Sequence, residues 1–286
     1  MILVTGATGK LGRSVVQQLL RRINADQVAA LVRDEQKASD LNDQGVSLRV
    51  GHYDDVASLD RAMQGVSRVL LIAGTDEERR VEQHQQVIGA AKRASVQAIA
   101  YTSRTLKDRQ TLANRLMEGH FQTEDAVAAS GLPYAIFRNV LYMDTIPQFV
   151  GEQVFGSGIT LPAGQGKVAF ALRSEMGEAI ANALIDEPWT QATYHLTGRE
   201  AYSFDDVAAE LTRLSGQDVK YRPAEAADFL AQLTGRGVPE VAAGRVAGFM
   251  TDVRNGQEDE VSPDLERLLG RAPTPLGGGL KTLFGL

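Results

Sequence analysis

The residues best suited to chemistry lie at the start of the chain. Thr5-Gly6-Ala7-Thr8-Gly9-Lys10-Leu11-Gly12 places glycines three residues apart, directly after an apolar run and directly before a helical pattern. Gly6 lets the chain turn sharply out of a strand. Gly9 removes a Cβ where a pyrophosphate would lie, and Gly12 lets the next helix pack close to the sheet. The helix start around Thr8, Lys10, Leu11 and Arg13 then offers free N–H groups and a positive dipole end to the phosphates. The pattern G-x-x-G-x-x-G in this strand-turn-helix setting reads as a dinucleotide-binding turn. No G-x-x-x-x-G-K-[ST] occurs, which excludes a P-loop, and Gly164-Gln165-Gly166-Lys167 reads as a hairpin turn.

The second apolar run ends Ala30-Leu31-Val32-Arg33-Asp34, so a cation arrives where NAD-binding sites usually carry a carboxylate for the ribose. A guanidinium at Arg33 can hold a 2′-phosphate through two hydrogen bonds, with Arg13 and Lys37 nearby. Asp34 would repel that phosphate unless it turns away to cap the next helix. The expected cofactor is therefore NADPH in preference to NADH. Tyr53, Asp54, Ala73, Gly74, Thr102 and Ser103, at or just past the ends of later strands, complete the expected cofactor contacts.

These residues need a frame, and the first half supplies one. Strand patterns over 2–4, 28–32, 47–50, 68–73, 98–102 and 134–137 alternate with helical patterns over 10–22, 36–43, 57–63, 79–94 and 113–130. Such alternation predicts an α/β, Rossmann-type, doubly wound parallel sheet. After about Arg138 glycine and proline become frequent. The expected organisation is a dinucleotide-binding domain over 1–140 and a smaller, mostly helical substrate-binding part over 141–286. The two are interleaved through strands near 168–172 and 193–197. Gly277-Gly278-Gly279 reads as a flexible turn.

Composition narrows the function. A net charge of −6 argues against a nucleic-acid partner. There are no cysteines, which removes disulfides, thiolate metal sites and a catalytic thiol. The histidines His52, His84, His120 and His195 show no i, i+4 pair, so no metal is expected. No long apolar run suggests a membrane span, and the N-terminus has no leader pattern, so a cytoplasmic protein is expected, as monomer or homodimer.

Several segments together resemble the NmrA-like group of atypical short-chain dehydrogenase/reductases, in particular its bacterial quinone- and triphenylmethane-reducing members. They are Val4 to Gly12, Ala30 to Arg33, Asp43 to Val46, Ile99 to Ser103, Phe137-Arg138-Asn139, Tyr202 to Asp206 and Gly237-Val238-Pro239. His52 stands where those relatives usually have an acidic residue, and 104–114 is unusually polar and basic. The resemblance implies an NADPH-dependent oxidoreductase that transfers hydride to a quinone or similar planar acceptor. A redox sensor that binds NAD(P) without turnover is the alternative.

Other members of that superfamily protonate a carbonyl with a tyrosine whose pKa is lowered by a lysine four residues later. No Y-x-x-x-K occurs before the sixth strand; the sequence there is Gly119-His120-Phe121-Gln122-Thr123-Glu124. A quinone does not need a strong acid, because hydride transfer makes it aromatic and orientation of two flat rings carries most of the task. The expected catalytic candidates are Asn139, to orient nicotinamide or acceptor, with Tyr142 and His120 as modest proton donors. Phe249 and Met250 are candidate wall residues.

Overall fold

The computed structural model describes residues 1–151 and 153–286. In chain order the first elements are β1 (Ile2–Val4), α1 (Lys10–Leu20), β2 (Val28–Val32), α2 (Ser39–Asp43), β3 (Ser47–Val50), α3 (Val56–Ala62) and β4 (Arg68–Ile72). There follow α4 (Arg80–Arg93), β5 (Ala98–Arg104), α5 (Glu118–Ala128), β6 (Tyr134–Asn139), α6 (Ile146–Val150), α7 (Val154–Ser157), β7 (Ile159–Leu161) and β8 (Lys167–Val168). The last are α8 (Arg173–Asp186), β9 (Ala192–Leu196), β10 (Tyr202–Ser203), α9 (Phe204–Ser215), β11 (Tyr221–Pro223), α10 (Ala226–Gly235), α11 (Glu240–Arg254), α12 (Asp264–Leu269) and α13 (Leu276–Phe284).

Two compact units form. One comprises Met1–Arg104, Leu116–Arg138 and Arg173–Tyr194; the other Thr105–Arg115, Asn139–Leu172 and His195–Leu286. The first carries a seven-stranded sheet in the order β3-β2-β1-β4-β5-β6-β9. Strands β3, β2, β1, β4 and β5 pair in parallel, with Leu3 opposite Ala29 and Val69. This is the doubly wound order: β1 lies inside the sheet, and the strand order reverses between β1 and β4. β1, β2 and most of β5 are buried along their length, as helices on both faces require.

Helix α1 is fixed by its apolar stripe. Leu11, Val15, Val16 and Leu19 are buried on one face. It packs beside α8, where Gly177 leaves room for Ser14: a Cβ on Gly177 would lie 2.3 Å from Ser14 Oγ. Arg22 ties the same pair through Asp186 at 2.7 Å.

The second unit departs from the expected pattern in three places. Of the strand expected over 168–172, only β8 forms, and it pairs antiparallel with β10 instead of joining the large sheet. The backbone beyond it is claimed elsewhere: Gly198 N–H donates to the Ala169 carbonyl at 2.8 Å, and Ala169 N–H to the Glu258 carbonyl at 3.2 Å. The turn at 164–167 joins no hairpin, because β7 pairs with β11 and β8 with β10. Gly166 is needed there for packing, since its Cβ would meet the Val253 carbonyl at 2.1 Å. The expected flexible turn at 277–279 is the first part of α13. Its glycines permit close packing: a Cβ on Gly277 would lie 2.0 Å from Glu210 Oε1, and one on Gly279 2.0 Å from Met143 Sδ.

The helix expected from 113 begins later, with a 3-10 turn at Arg115–Met117 before α5. The N–H groups of Ala113 and Asn114 instead donate to the Asp252 carboxylate at 2.6 and 3.1 Å.

Two glycines of helical segments make the packing testable. A Cβ on Gly12 would overlap the Gly6 carbonyl oxygen at 2.3 Å, whereas one on Gly244, inside α11, meets nothing within 4 Å. Gly12→Ala is expected to cost about 1–3 kcal/mol through overpacking. Gly244→Ala is expected to gain up to about 1 kcal/mol from helix propensity. Denaturant unfolding of both variants checks the contrast; a neutral Gly12→Ala would refute the close docking of α1.

Candidate functional site

The glycine turn forms at the C-terminal end of β1. Gly6 adopts φ +58°, a conformation L side chains rarely take. Gly9 N–H donates to the Gly6 carbonyl at 2.9 Å, closing the turn. Gly9 is also the N-cap of α1. It supplies no side-chain cap, and the first turn holds no acidic residue. The helix therefore starts with unsatisfied N–H groups and an uncompensated positive end, which suits a phosphate. Thr8, Gly9 and Lys10 are exposed around it, while Leu11 and Gly12 are buried beneath.

The neighbouring strand ends are bound to this turn. Thr5 Oγ1 accepts the Ile72 N–H at 2.9 Å. The Tyr53 hydroxyl reaches both Thr5 Oγ1, at 2.5 Å, and the Ile72 carbonyl, at 3.0 Å. Burial pushes the Tyr53 phenol well above its ordinary pKa, so it stays protonated. Ala73 N–H donates to Thr102 Oγ1 at 3.1 Å, joining the ends of β4 and β5. Beside it, the Ser103 hydroxyl is buried without a partner among the described residues. Such an orphan polar atom at the strand ends fits a site that a polar cofactor completes.

The first turn of α4, which the sequence did not single out, holds the loops on either side. Gly74 N–H donates to His84 Nε2 at 3.0 Å. That nitrogen therefore carries no proton, and Nδ1–H donates to Thr123 Oγ1 at 2.9 Å. The Thr123 hydroxyl passes on to the Gly119 carbonyl at 2.8 Å. Arg80, only 4% exposed, donates to the Leu116 carbonyl at 3.2 Å. Asp54 receives Gln83 Nε2 at 3.1 Å and Arg79 at 2.7 Å.

At the end of β2, Asp34 Oδ1 accepts the Gln36 N–H at 3.0 Å and so turns to cap the following 3-10 turn. Arg13 is engaged by Asp40 and by the Lys37 carbonyl. Arg33 is exposed and makes no hydrogen bond or ion pair among the described residues. Of Arg13 and Arg33, the one without a carboxylate among the described residues is thus the one expected to read a 2′-phosphate.

Of the three catalytic candidates, His120 belongs to the first unit and Asn139 and Tyr142 to the second. His120 is buried between α5 and β5, 2.9 Å from the Tyr101 hydroxyl. Asn139 and Tyr142 lie together: Asn139 Nδ2 donates to the Tyr142 hydroxyl at 3.2 Å. Asn139 is 1% exposed, and its Oδ1 has no partner among the described residues. The same segment is held by buried Glu258, which accepts the Leu141 N–H at 3.1 Å and the Thr105 hydroxyl at 3.2 Å. Glu124, at the place of the usual lysine, is committed to Arg138 through contacts of 2.9 and 2.5 Å.

Among the described residues no group of three or more potential ligands could hold a metal, and no helix is long and apolar enough to cross a membrane.

Sheet order and glycine turn together define a Rossmann-type protein without the tyrosine–lysine pair. The chain belongs to the NmrA-like family, whose sequence profile matches residues 1–272. It is 36% identical to quinone oxidoreductase 2 of Escherichia coli over 290 residues, covering 100% of this chain and 99% of that protein. The crystal structure of an Escherichia coli NADPH-dependent quinone oxidoreductase complexed with NADPH superposes with TM-score 0.94 at 36% identity, covering 99% and 100% of the two chains. Triphenylmethane reductase of Citrobacter sp. complexed with NADP(H) gives TM-score 0.91 at 36% identity, covering 99% and 100%.

The histidines give a pH signature. Burial lowers His84 to about 3, with Arg80 adding to the shift. His120 is lowered well below its ordinary value by burial, then by Arg80, Arg104 and His84. Both are neutral when folded but charge near 6.5 when unfolded. Their stabilisation is complete above about 6.5 and falls with pH below it, by up to about 1.4 kcal/mol per pH unit for each histidine. Unfolding free energies measured from pH 7 to pH 5 should show this fall, and His120→Asn should flatten it by about one proton. An unchanged slope in that variant would contradict the neutral buried state.

Proposed function

We infer that this chain is an NADPH-dependent reductase that transfers hydride to a quinone or similar planar acceptor. The observation that carries the reading is the uncapped start of α1 on its glycine turn, combined with Glu124 locked to Arg138 where a catalytic lysine would stand. In this reading Gly6, Thr8, Gly9, Lys10, Leu11, Gly12 and Arg13 surround the pyrophosphate. Arg33 and Lys37 read the 2′-phosphate, and Tyr53, Asp54, Ala73, Gly74, Thr102 and Ser103 line the rest. NADPH, when bound, supplies the hydride. The protein orients it.

Asn139 donates one amide N–H to Tyr142, and its Oδ1, without a partner among the described residues, suits a carboxamide N–H of the nicotinamide. Tyr142, whose oxygen accepts from Asn139, is in this reading a modest proton donor to an acceptor oxygen. His120 is engaged with buried Tyr101 and serves at most as a modest donor. Residues 141–286 supply the acceptor side in this reading, and the protein works in the cytoplasm as a monomer or homodimer. The sensor reading has less support, because quinone oxidoreductase 2 and triphenylmethane reductase, each matched over 99% or more of this chain, are named as enzymes.

Two experiments test the reading. Arg33→Ala should weaken NADPH binding by about 1.5–3 kcal/mol, the worth of a hydrogen bond to a charged group. NADH binding should hardly change; calorimetry showing equal losses for both would remove Arg33 from the 2′-phosphate. The second compares NADPH oxidation with one benzoquinone at fixed pH. Tyr142→Phe should slow it only a few-fold, well below the roughly 10²- to 10⁴-fold typical where general acid catalysis is needed. Asn139→Ala should cost more, through misplaced rings. A hundredfold loss in Tyr142→Phe with cofactor affinity intact would assign a true tyrosine acid and point to carbonyl chemistry.

A further inference from the structure

A second feature of the first unit is also built for an anion, away from the glycine turn. β3 is the edge strand of the sheet and pairs only with β2. A cavity of about 580 Å³ opens there, lined by Arg33, Arg49, Arg61 and His52 over apolar Leu48 and Ala62. Asp55 supplies the one carboxylate of the lining, and it is occupied: Oδ1 accepts the Ser58 N–H at 3.1 Å as the N-cap of α3.

None of the three guanidiniums reaches an oxygen acceptor among the described residues. Among the described residues Arg49 makes one hydrogen bond, to the Met1 sulfur at 3.7 Å, and its Nε is buried without a partner. Elsewhere in the same unit Arg13, Arg22, Arg79 and Arg93 each find a carboxylate. A chain of net charge −6 has acidic groups to spare, yet the one placed here, Asp55, caps α3 and is not hydrogen-bonded to any of the three arginines among the described residues. Three like charges around one cavity repel one another, and a buried N–H without an acceptor adds to the cost. A bound anion relieves both.

We propose that this edge cavity binds a phosphate-bearing small molecule, with Arg49 and Arg61 gripping the phosphate and Arg33 shared with the cofactor. Guanidinium forks match phosphate oxygens in pairs, and three cations suit a di- or trianion better than a monocarboxylate. Leu48 and Ala62 offer an apolar wall to the organic part of an ester. Because Arg33 is drawn into this site, its occupant competes for the group that reads the 2′-phosphate and weakens NADPH specifically. That coupling rests on the NADPH reading above; the anion site itself does not.

Inorganic pyrophosphate is the probe, titrated calorimetrically into the cofactor-free full chain and into the double variant Arg49→Gln, Arg61→Gln. The wild-type chain should bind it, and the variant about tenfold or more weaker, the loss of one charged hydrogen bond. The variant's thermal midpoint and its NADPH affinity without pyrophosphate should stay as in wild type. Pyrophosphate should raise the NADPH dissociation constant of the wild-type chain more than that of the variant. Equal pyrophosphate binding in the two proteins would mean that the glycine turn holds the probe and would overturn the proposal, as would no binding in either. Failure of the chain to bind NADPH would defeat the cofactor reading and leave the pyrophosphate comparison decisive for the cavity.

Discussion

The first unit depends on how closely α1 can approach the turn that precedes it. With the Gly12 Cβ position only 2.3 Å from the Gly6 carbonyl oxygen, no larger residue fits without moving the backbone of the turn. That single steric limit sets where the helix axis runs and aims its first N–H groups beyond the end of β1. It also lets the stripe of Leu11, Val15, Val16 and Leu19 reach the sheet. The same closeness brings α8 in on the outer side, where a second glycine, Gly177, admits Ser14. Anion affinity and core packing are therefore two consequences of one geometry.

A turn so placed is useful only if the adjoining strand ends keep their positions. They are joined laterally by polar contacts rather than by apolar packing: Tyr53 with Thr5 and Ile72, Thr102 with Ala73, and His84 with Gly74. The cost of burying these groups is met by giving each a partner, and burial, with Arg80 nearby, keeps His84 neutral. In the second unit the same device recurs. Asp252, Gln257 and Glu258 bind the backbone or side chains of 105–115, so the polar stretch that stands out in the sequence is held in place by carboxylates and an amide 138 to 153 residues later.

What the sequence revealed follows from range. The glycine turn, the alternating strands and the helix α1 are encoded by local spacing, and each forms where that spacing puts it. Arg33 could be singled out because its place at the end of β2 is itself a local fact, and so could Asp34 as a turn cap. The role of His84 was hidden, since its partners are a loop N–H ten residues upstream and a hydroxyl on another helix. Glu258 was hidden for the same reason. The triple glycine at 277–279 misled, because the local signal for flexibility and the tertiary need for close helix packing use the same residue. Past Val168, β8 does not continue, because the backbone of Ala169 bonds Gly198 and Glu258 and the Ala171 carbonyl accepts the Met143 N–H.

The central claim is that this chain passes hydride from NADPH to a planar acceptor without a tyrosine–lysine pair. The most direct measurement is a single-turnover experiment: the protein loaded with a stoichiometric amount of NADPH is mixed rapidly with excess benzoquinone, and the reduced nicotinamide absorbance is followed. Loss of that absorbance in one phase, faster than in the same mixture without protein, is the expected result. Persistence of bound, reduced cofactor at the background rate would contradict the account.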